Sequence, residues 1–191
     1  METTGYILLG LIAVALIYFI LIYNNLVRLK HNVARAWSNI DVMLKQRHDE
    51  LPKLVEVCRR YMDYEQDTLE KIVQARSAVA SASQQQDMKG LGMAETQLRL
   101  GLGNLFALAE NYPELKANES FQHLQSRISG LENGIADRRE LYNDSVNLNN
   151  VRIEQFPDVI VANLFRFGAF DLLEFSEEQK ADVDIKGLFN R

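Results

Sequence analysis

From Leu26 onward, apolar residues return every three or four positions: Leu26, Leu29, Val33, Ala36 with Trp37, Ile40, and Met43 with Leu44. The stripe resumes at Leu51, Leu54 with Val55, Cys58, Tyr61 with Met62, Leu69, Ile72 with Val73, and Val79. That spacing is one face of a helix, and its heptad-like phase suits bundle packing. Pro52 takes one amide donor out of the run, so it either kinks the helix or marks a fresh start. The stripe keeps phase across Pro52, which favours a kinked continuation. An independent helix N-capped by Asp49, with Pro52 in its first turn, is the alternative.

The stretch Ser81–Gly90 is polar, aperiodic and ends in glycine, the signature of a turn between helices. A second helix follows through Leu91, Leu98, Leu102, Leu105 and Leu108 with Ala109. Tyr112-Pro113 ends it, because proline disfavours helical geometry in the residue before it. Asn118 or Ser120 can cap the next helix, whose stripe runs Phe121, Leu124, Ile128, Leu131, Ile135, Leu141 with Tyr142, Val146 and Ile153. It stops at Phe156-Pro157. No run alternates with period two, so the chain reads as all-α. Helices with one apolar face and short connections bury those faces by packing antiparallel. The segment Val159–Phe175 is apolar on too many sides for a solvated linker. It reads as a fourth helix closing the bundle or as an amphipathic piece lying on a membrane. The final stretch from Ser176 to Arg191 reads as an acidic, mobile tail.

Ahead of the stripes lies Tyr6–Tyr23, 18 residues without a charge. At 1.5 Å per residue such a helix covers about 27 Å, close to the hydrocarbon thickness of a bilayer. Tyr6, Tyr18 and Tyr23 stand toward its ends, where amphipathic aromatics sit at the interfaces. Only Glu2 and the α-amine precede the apolar run, and no small-residue cleavage pattern follows it, which argues against a cleaved signal peptide. The expected organisation is an anchor over residues 1–23, a helical bundle over 24–175 and the tail over 176–191.

Charge then gives the anchor an expected direction. Arg28, Lys30 and Arg35 follow the span and no Lys or Arg precedes it, so the short N-terminus is expected outside and the bundle in the cytoplasm of a cell membrane. From Asn24 to Arg47 there are five basic residues against one acid, Asp41. These either attract anionic headgroups or only set topology. The whole chain of 191 residues carries a net charge of −5, which gives no electrostatic reason to expect nucleic acid as a partner. A single cysteine excludes an intramolecular disulfide framework and any all-cysteine metal cluster.

Tests for chemistry return nothing specific. The histidines are His31, His48 and His123, and none completes the Glu-x-x-His pairs of a di-iron bundle or a His-Glu-x-x-His zinc motif. Glu119 and His123 stand at i and i+4 and read as a solvent-facing pair. Cys58 lies on the apolar stripe, where a small buried thiol is the ordinary reading. Gly101 and Gly103 fall inside a helical stripe, where glycine permits close helix packing. No cofactor and no enzymatic activity are expected. Two polar clusters remain as candidate interaction residues. Arg139, Asn143 and Asn147 recur at four-residue steps beside Tyr142 and suit either a polar network fixing helix register or a groove for a partner segment. Trp37, Asn39 and Asp41 form the second, with Trp37 on the stripe and the other two free to face a partner membrane protein.

Several linked motifs carry a resemblance. Tyr23-Asn24-Asn25-Leu26-Val27, Ala36-Trp37-Ser38-Asn39-Ile40-Asp41-Val42 and Arg47-x3-Leu51-Pro52-x-Leu54-Val55-Glu56 come first. Glu65-x2-Thr68-Leu69-Glu70, Ala75-Arg76-Ser77 and Tyr112-Pro113-Glu114-Leu115-Lys116-Ala117-Asn118 follow. Glu132-Asn133-x-Ile135-Ala136, Arg139-x2-Tyr142-Asn143-x2-Val146 and Phe156-Pro157 complete the order. Over roughly residues 6–168 the chain resembles the LemA family. The resemblance implies an N-terminal membrane helix and a bromodomain-like, up-and-down bundle of about four long helices. It implies no activity. Tyr64 stands where a histidine often precedes the glutamate, and Gly168–Arg191 lacks the family's usual closing residues.

The expected role is a non-enzymatic scaffold or adaptor, single-pass in the membrane, which presents its bundle to membrane-associated proteins. The alternative is a homo-oligomeric membrane-shaping protein whose C-terminal apolar segment contacts lipid.

Overall fold

The computed structural model describes residues 2–62 and 64–174. Its regular structure is helical, with no strand among the described residues. The helices are α1 (Glu2–Arg59), α2 (Gln66–Gln85), α3 (Met88–Ala109), α4 (Pro113–Lys116), α5 (Glu119–Glu154) and α6 (Asp158–Phe165). The chain divides into two compact units. The first takes residues up to Ile40 together with Asp137–Leu172, and the second takes Asp41–Ala136 with Leu173 and Glu174. The expected tail, 176–191, lies outside the described residues.

α1 continues through Pro52. Proline has no N–H, so the carbonyl four residues back loses its helical donor. That carbonyl belongs to His48, and the second unit supplies a substitute: Arg76 Nε of α2 donates to it at 2.9 Å. Arg76 Nη2 also lies 2.7 Å from His48 Nε2. Burial, and then the Arg76 guanidinium, hold the imidazole below its ordinary pKa, with Asp49 opposing. The neutral ring then accepts from Arg76 at Nε2 and keeps its proton on Nδ1.

The apolar stripe from Leu51 to Val79 is two helices rather than one. α1 ends at Arg59, and the amides of Tyr61 and Met62 both return to the Cys58 carbonyl, at 3.0 and 2.9 Å. Met62 is nonetheless buried, which keeps the stripe in phase through the turn. The expected turn over Ser81–Gly90 shrinks to Gln86 and Asp87, because Ser, Ala and Gln on an exposed face do not oppose a helix. Gln86 takes a left-handed φ of 54° to close α2. Asp87 then opens α3 by accepting from the Gly90 amide at 2.9 Å. α5 is capped by Asn118, not Ser120: Asn118 Oδ1 accepts from the Phe121 amide at 3.0 Å, and its Nδ2 donates to the Tyr61 hydroxyl at 3.1 Å.

The core of the second unit joins Leu51, Leu54 and Cys58 of α1, Leu69 and Ile72 of α2, Leu91, Leu98, Leu102 and Leu105 of α3, and Phe121 and Ile128 of α5, all buried. Each such side chain is worth roughly 1.5–3 kcal/mol on leaving water. Gly101 is one reason α2 and α3 approach closely, since a Cβ there would meet Ile72 Cγ1 at 3.3 Å.

In the first unit, Ile22 and Leu26 of α1 pack with Val161 and Ala162 of α6, flanked by Phe19, Ile153 and Phe167. Val159–Phe175 is thus not a full fourth helix. α6 is eight residues long and ends at Phe165, capped by Arg166, which takes a left-handed φ of 56°. From Phe167 to Glu174 the chain runs without helix. The residues before α6's partners differ sharply from the rest of α1: the most apolar 18-residue window of that helix is only 6% buried. A core helix of a water-soluble bundle would have its apolar face covered.

Candidate functional site

Two groups of polar side chains are built into the molecule. In the second unit Arg47 of α1 is 2% exposed and pairs with Glu95 of α3, itself 4% exposed. Its other Nη donates to Glu132 of α5 at 3.1 Å. Burial holds the Glu132 carboxyl above the ordinary range, with Glu95 adding to that and the Arg47 and Arg99 guanidinium groups pulling the other way. The cluster links three helices. Every charged head is spent on a partner within it, so it orders the core rather than offering reactive groups. Glu50, also buried, meets Lys53 at 3.2 Å and Arg127 at 3.1 Å. Cys58 is fully buried, and burial pushes its thiol up to about 12. A thiol so placed is not a nucleophile near neutral pH.

In the first unit α5 presents side chains to the non-helical segment after α6. Asn150 engages both backbone polar groups of one residue, donating to the Phe170 carbonyl at 2.8 Å and accepting from the Phe170 amide at 3.0 Å. Asn149 is 1% exposed and donates to the Gly168 carbonyl at 3.3 Å. The Tyr142 hydroxyl donates to the Asp171 carbonyl at 3.0 Å. Burial, and then Asp171, raise the Tyr142 pKa, so this hydroxyl keeps its proton. Asn and Tyr are suited to this task because they offer donors to carbonyls that no helix or sheet satisfies.

Beside this strap lies a groove between α1 and α5 of about 350 Å³. Asn32, Arg35, Ala36 and Asn39 of α1 form one wall at helical spacing. Arg138, Leu141, Asp144, Ser145 and Leu148 of α5 form the other. Leu141 and Leu148 are more than half exposed. They stand seven residues apart, so they share one helix face, and Val151 extends that face at 43% exposure.

The structure distributes the sequence candidates as follows. Trp37 is half-buried and meets the Tyr142 ring edge-on, with centroids 5.9 Å apart. Asn39 is exposed and lines the groove. Asp41 belongs to the second unit, where it takes Lys45 at 2.5 Å and a hydrogen bond from Ser83 at 3.3 Å. Arg139 and Asn143 are half-buried and Asn147 is exposed. Asn149 and Asn150 are not among the sequence candidates, which follow the four-residue steps from Arg139. The phase of Tyr142, Val146 and Asn149, all buried, was the available signal. Arg47 and Glu95 are likewise absent from those candidates, although Arg47 keeps phase with Ile40, Leu44, Leu51 and Leu54, and Glu95 with Leu91, Leu98 and Leu102. Among the described residues, no group of three or more His, Cys, Asp or Glu could hold a metal ion.

Comparison with known proteins gives the arrangement a context. Protein LemA of Metamycoplasma hominis is 27% identical over 191 residues, covering 99% of this chain and 86% of that one. Magnetosome protein MamQ 2 of Paramagnetospirillum magneticum is 25% identical over 186 residues, covering 85% of this chain and 68% of its own. Magnetosome protein MamQ of Magnetospirillum gryphiswaldense is 23% identical with the same coverage. None of these names carries an enzymatic activity. The LemA family model matches residues 36–186. It therefore takes in the α5 wall of the groove with Ala36 and Asn39 of α1, the buried Arg47 cluster, the strap and also the stretch beyond Gly168 that looked atypical. By that match, over most of its length, the chain belongs to the LemA family.

Proposed function

We propose that this chain is a single-pass membrane protein whose soluble part is a non-enzymatic scaffold or adaptor for other membrane-associated proteins. α1 crosses the bilayer over about residues 6–23, and the helices meeting around Arg47 act as an antiparallel, bromodomain-like four-helix bundle in the cytoplasm. The observation that carries the reading is the continuity of α1. One unbroken helix leads from a bare apolar window to the wall of a groove edged by exposed Leu141 and Leu148.

Heptad-spaced leucines beside a mixed-charge groove fit an amphipathic helix of a partner, which would lay its apolar face on Leu141, Leu148 and Val151. Arg35 and Arg138 would then take acidic groups at the edge of that helix. Relatives named for the magnetosome rather than for a reaction support a structural role. So does the state of Cys58, the chain's single cysteine: burial pushes its thiol up to about 12, which denies it a thiolate near neutral pH.

Crosslinking of the full-length protein in its native membrane, read by mass spectrometry, tests the proposal. A heterologous membrane protein captured in near-stoichiometric yield is expected, and Leu141→Asp with Leu148→Asp should abolish that capture while leaving helix content unchanged. Crosslinks solely between copies of the chain would replace the adaptor with a self-assembling scaffold. Capture that survives the double substitution would remove the groove from the account.

A further inference from the structure

We propose that α6 and the turn after it form a second membrane contact, seated at the headgroup–acyl boundary of the leaflet that α1 leaves at Tyr23. This rests on the reading of residues 6–23 as a span. The geometry is set by aromatic rings. Phe165, the last residue of α6, has its ring centroid 4.7 Å from that of Tyr23 and 6.1 Å from that of Phe19. Phe167 approaches Tyr23 at 5.9 Å. Phe19 precedes Tyr23 by four residues, which on a helix is about 6 Å. The tip of α6 therefore lies inside the end of the apolar span, at a depth where interfacial helices bury their apolar faces, about 5–10 Å.

The exposed side of α6 is the one such a position requires. Ile160 and Leu164 stand four residues apart and are 56% and 65% exposed, and Phe165 is 48% exposed. No charge occurs from Val159 to Phe165. Asp158, at the start of the helix, is buried and ion-paired with Arg152 of α5, so it adds no free charge there. In water this face would be an uncovered apolar patch touching an uncovered apolar helix. The two are continuous through Phe19, Tyr23 and Phe165, and one covering serves both. That covering is lipid.

The exit from α6 fits as well. Arg166 is exposed and its long side chain can carry its charge back to phosphate while its stem stays in apolar surroundings. Backbone without helix beside hydrocarbon is tolerated only when its polar groups have protein partners. Next to the end of α6, the Phe167 amide donates to the Ala162 carbonyl at 2.9 Å and the Gly168 carbonyl accepts from Asn149 at 3.3 Å.

Depth-dependent quenching tests the proposal. The full-length chain with Cys58→Ala is reconstituted in phosphatidylcholine–phosphatidylglycerol vesicles, with single bimane labels introduced by Val14→Cys, Leu164→Cys or Asn147→Cys. Lipids carry a nitroxide either near the carbonyl or deep in the acyl chain. The label at 164 is expected to be quenched several-fold more than that at 147, and best by the shallow nitroxide, while the label at 14 is quenched by the deep one. Ile160→Cys repeats the measurement should the Leu164 variant fail to fold by circular dichroism. Quenching at 164 and 160 no greater than at 147, with 14 quenched, overturns the second contact and leaves the span intact. An unquenched label at 14 overturns both. Label–label contact at 164 without lipid quenching assigns the face to a second copy of the chain and likewise overturns the proposal.

Discussion

Removing the side chain of Arg47 would leave Glu95, 4% exposed, and Glu132 facing each other without their shared cation. Breaking a buried pair in this way costs about 3–5 kcal/mol, because a charge stays buried with nothing to balance it. Arg47→Ala is therefore expected to lower the denaturation midpoint of the full chain severely. Replacing the whole group, as Arg47→Met with Glu95→Leu and Glu132→Leu, should recover most of the loss, since apolar residues of similar volume carry no desolvation cost. Glu132 makes a finer prediction. Its folded-state pKa is raised above the ordinary 4.5, so the folded protein holds this proton more tightly than the unfolded chain does. The stability it contributes is complete below that value and is lost as pH climbs through the folded pKa. Glu132→Gln keeps an acceptor for Arg47 and has no proton to lose. Its thermal midpoint should gain on that of the wild type as pH rises above about 4.5 toward neutrality. A difference between the two that stays constant with pH would show that burial does not govern this carboxyl.

At the scale of the helix, Pro52 and Arg76 explain each other. The stripe in phase across Pro52 favours a continuous helix over a boundary, as α1 is, but sequence pattern could not show what replaces the missing amide. The replacement is the Arg76 donor on the His48 carbonyl at 2.9 Å, a contact between residues 28 apart that no periodicity reveals. The same limit accounts for the break between α1 and α2. α2 begins at Gln66 after Glu65, which makes no side-chain cap, and Met62 stays buried, so neither a cap nor a phase slip marks the break. Where the chain does use a side-chain cap, at Asp87 and Asn118, the start of the helix was legible or nearly so. A double-mutant cycle tests the Pro52–Arg76 link. Arg76→Ala should cost about 1.5–3 kcal/mol, the range for hydrogen bonds to charged groups. In a Pro52→Ala background, where residue 52 again donates to His48, the cost should shrink by about 0.5–3 kcal/mol of coupling energy. Additive losses would mean that Arg76 acts through the imidazole alone.

For the molecule as a whole, the proposed span takes its direction from charge, and the exposure of each basic residue sharpens that argument. Five basic residues lie between Asn24 and Arg47, but Arg47 is buried in its cluster and Lys45 is paired with Asp41. Those left to address the lipid are Arg28, Lys30 and Arg35, all exposed. On a continuous helix Arg28 and Lys30 stand about 8 and 10 Å beyond Tyr23, within reach of anionic headgroups, whereas Arg35 stands about 18 Å away, past the screening length at physiological salt. Orientation should then hang mainly on the first two. An Asn147→Cys reporter on exposed α5 is expected to resist a membrane-impermeant maleimide in intact cells and to react once the membrane is opened; Cys58, buried with its thiol pushed to about 12, stays silent in both conditions. Arg28→Gln with Lys30→Gln, joined to Thr3→Lys and Thr4→Lys, reverses the charge difference across the span and should bring a fraction of the reporter to the outside. If the reporter in the otherwise unaltered chain already reacts in intact cells, the bundle faces outward. Its groove must then be matched to partners on that side.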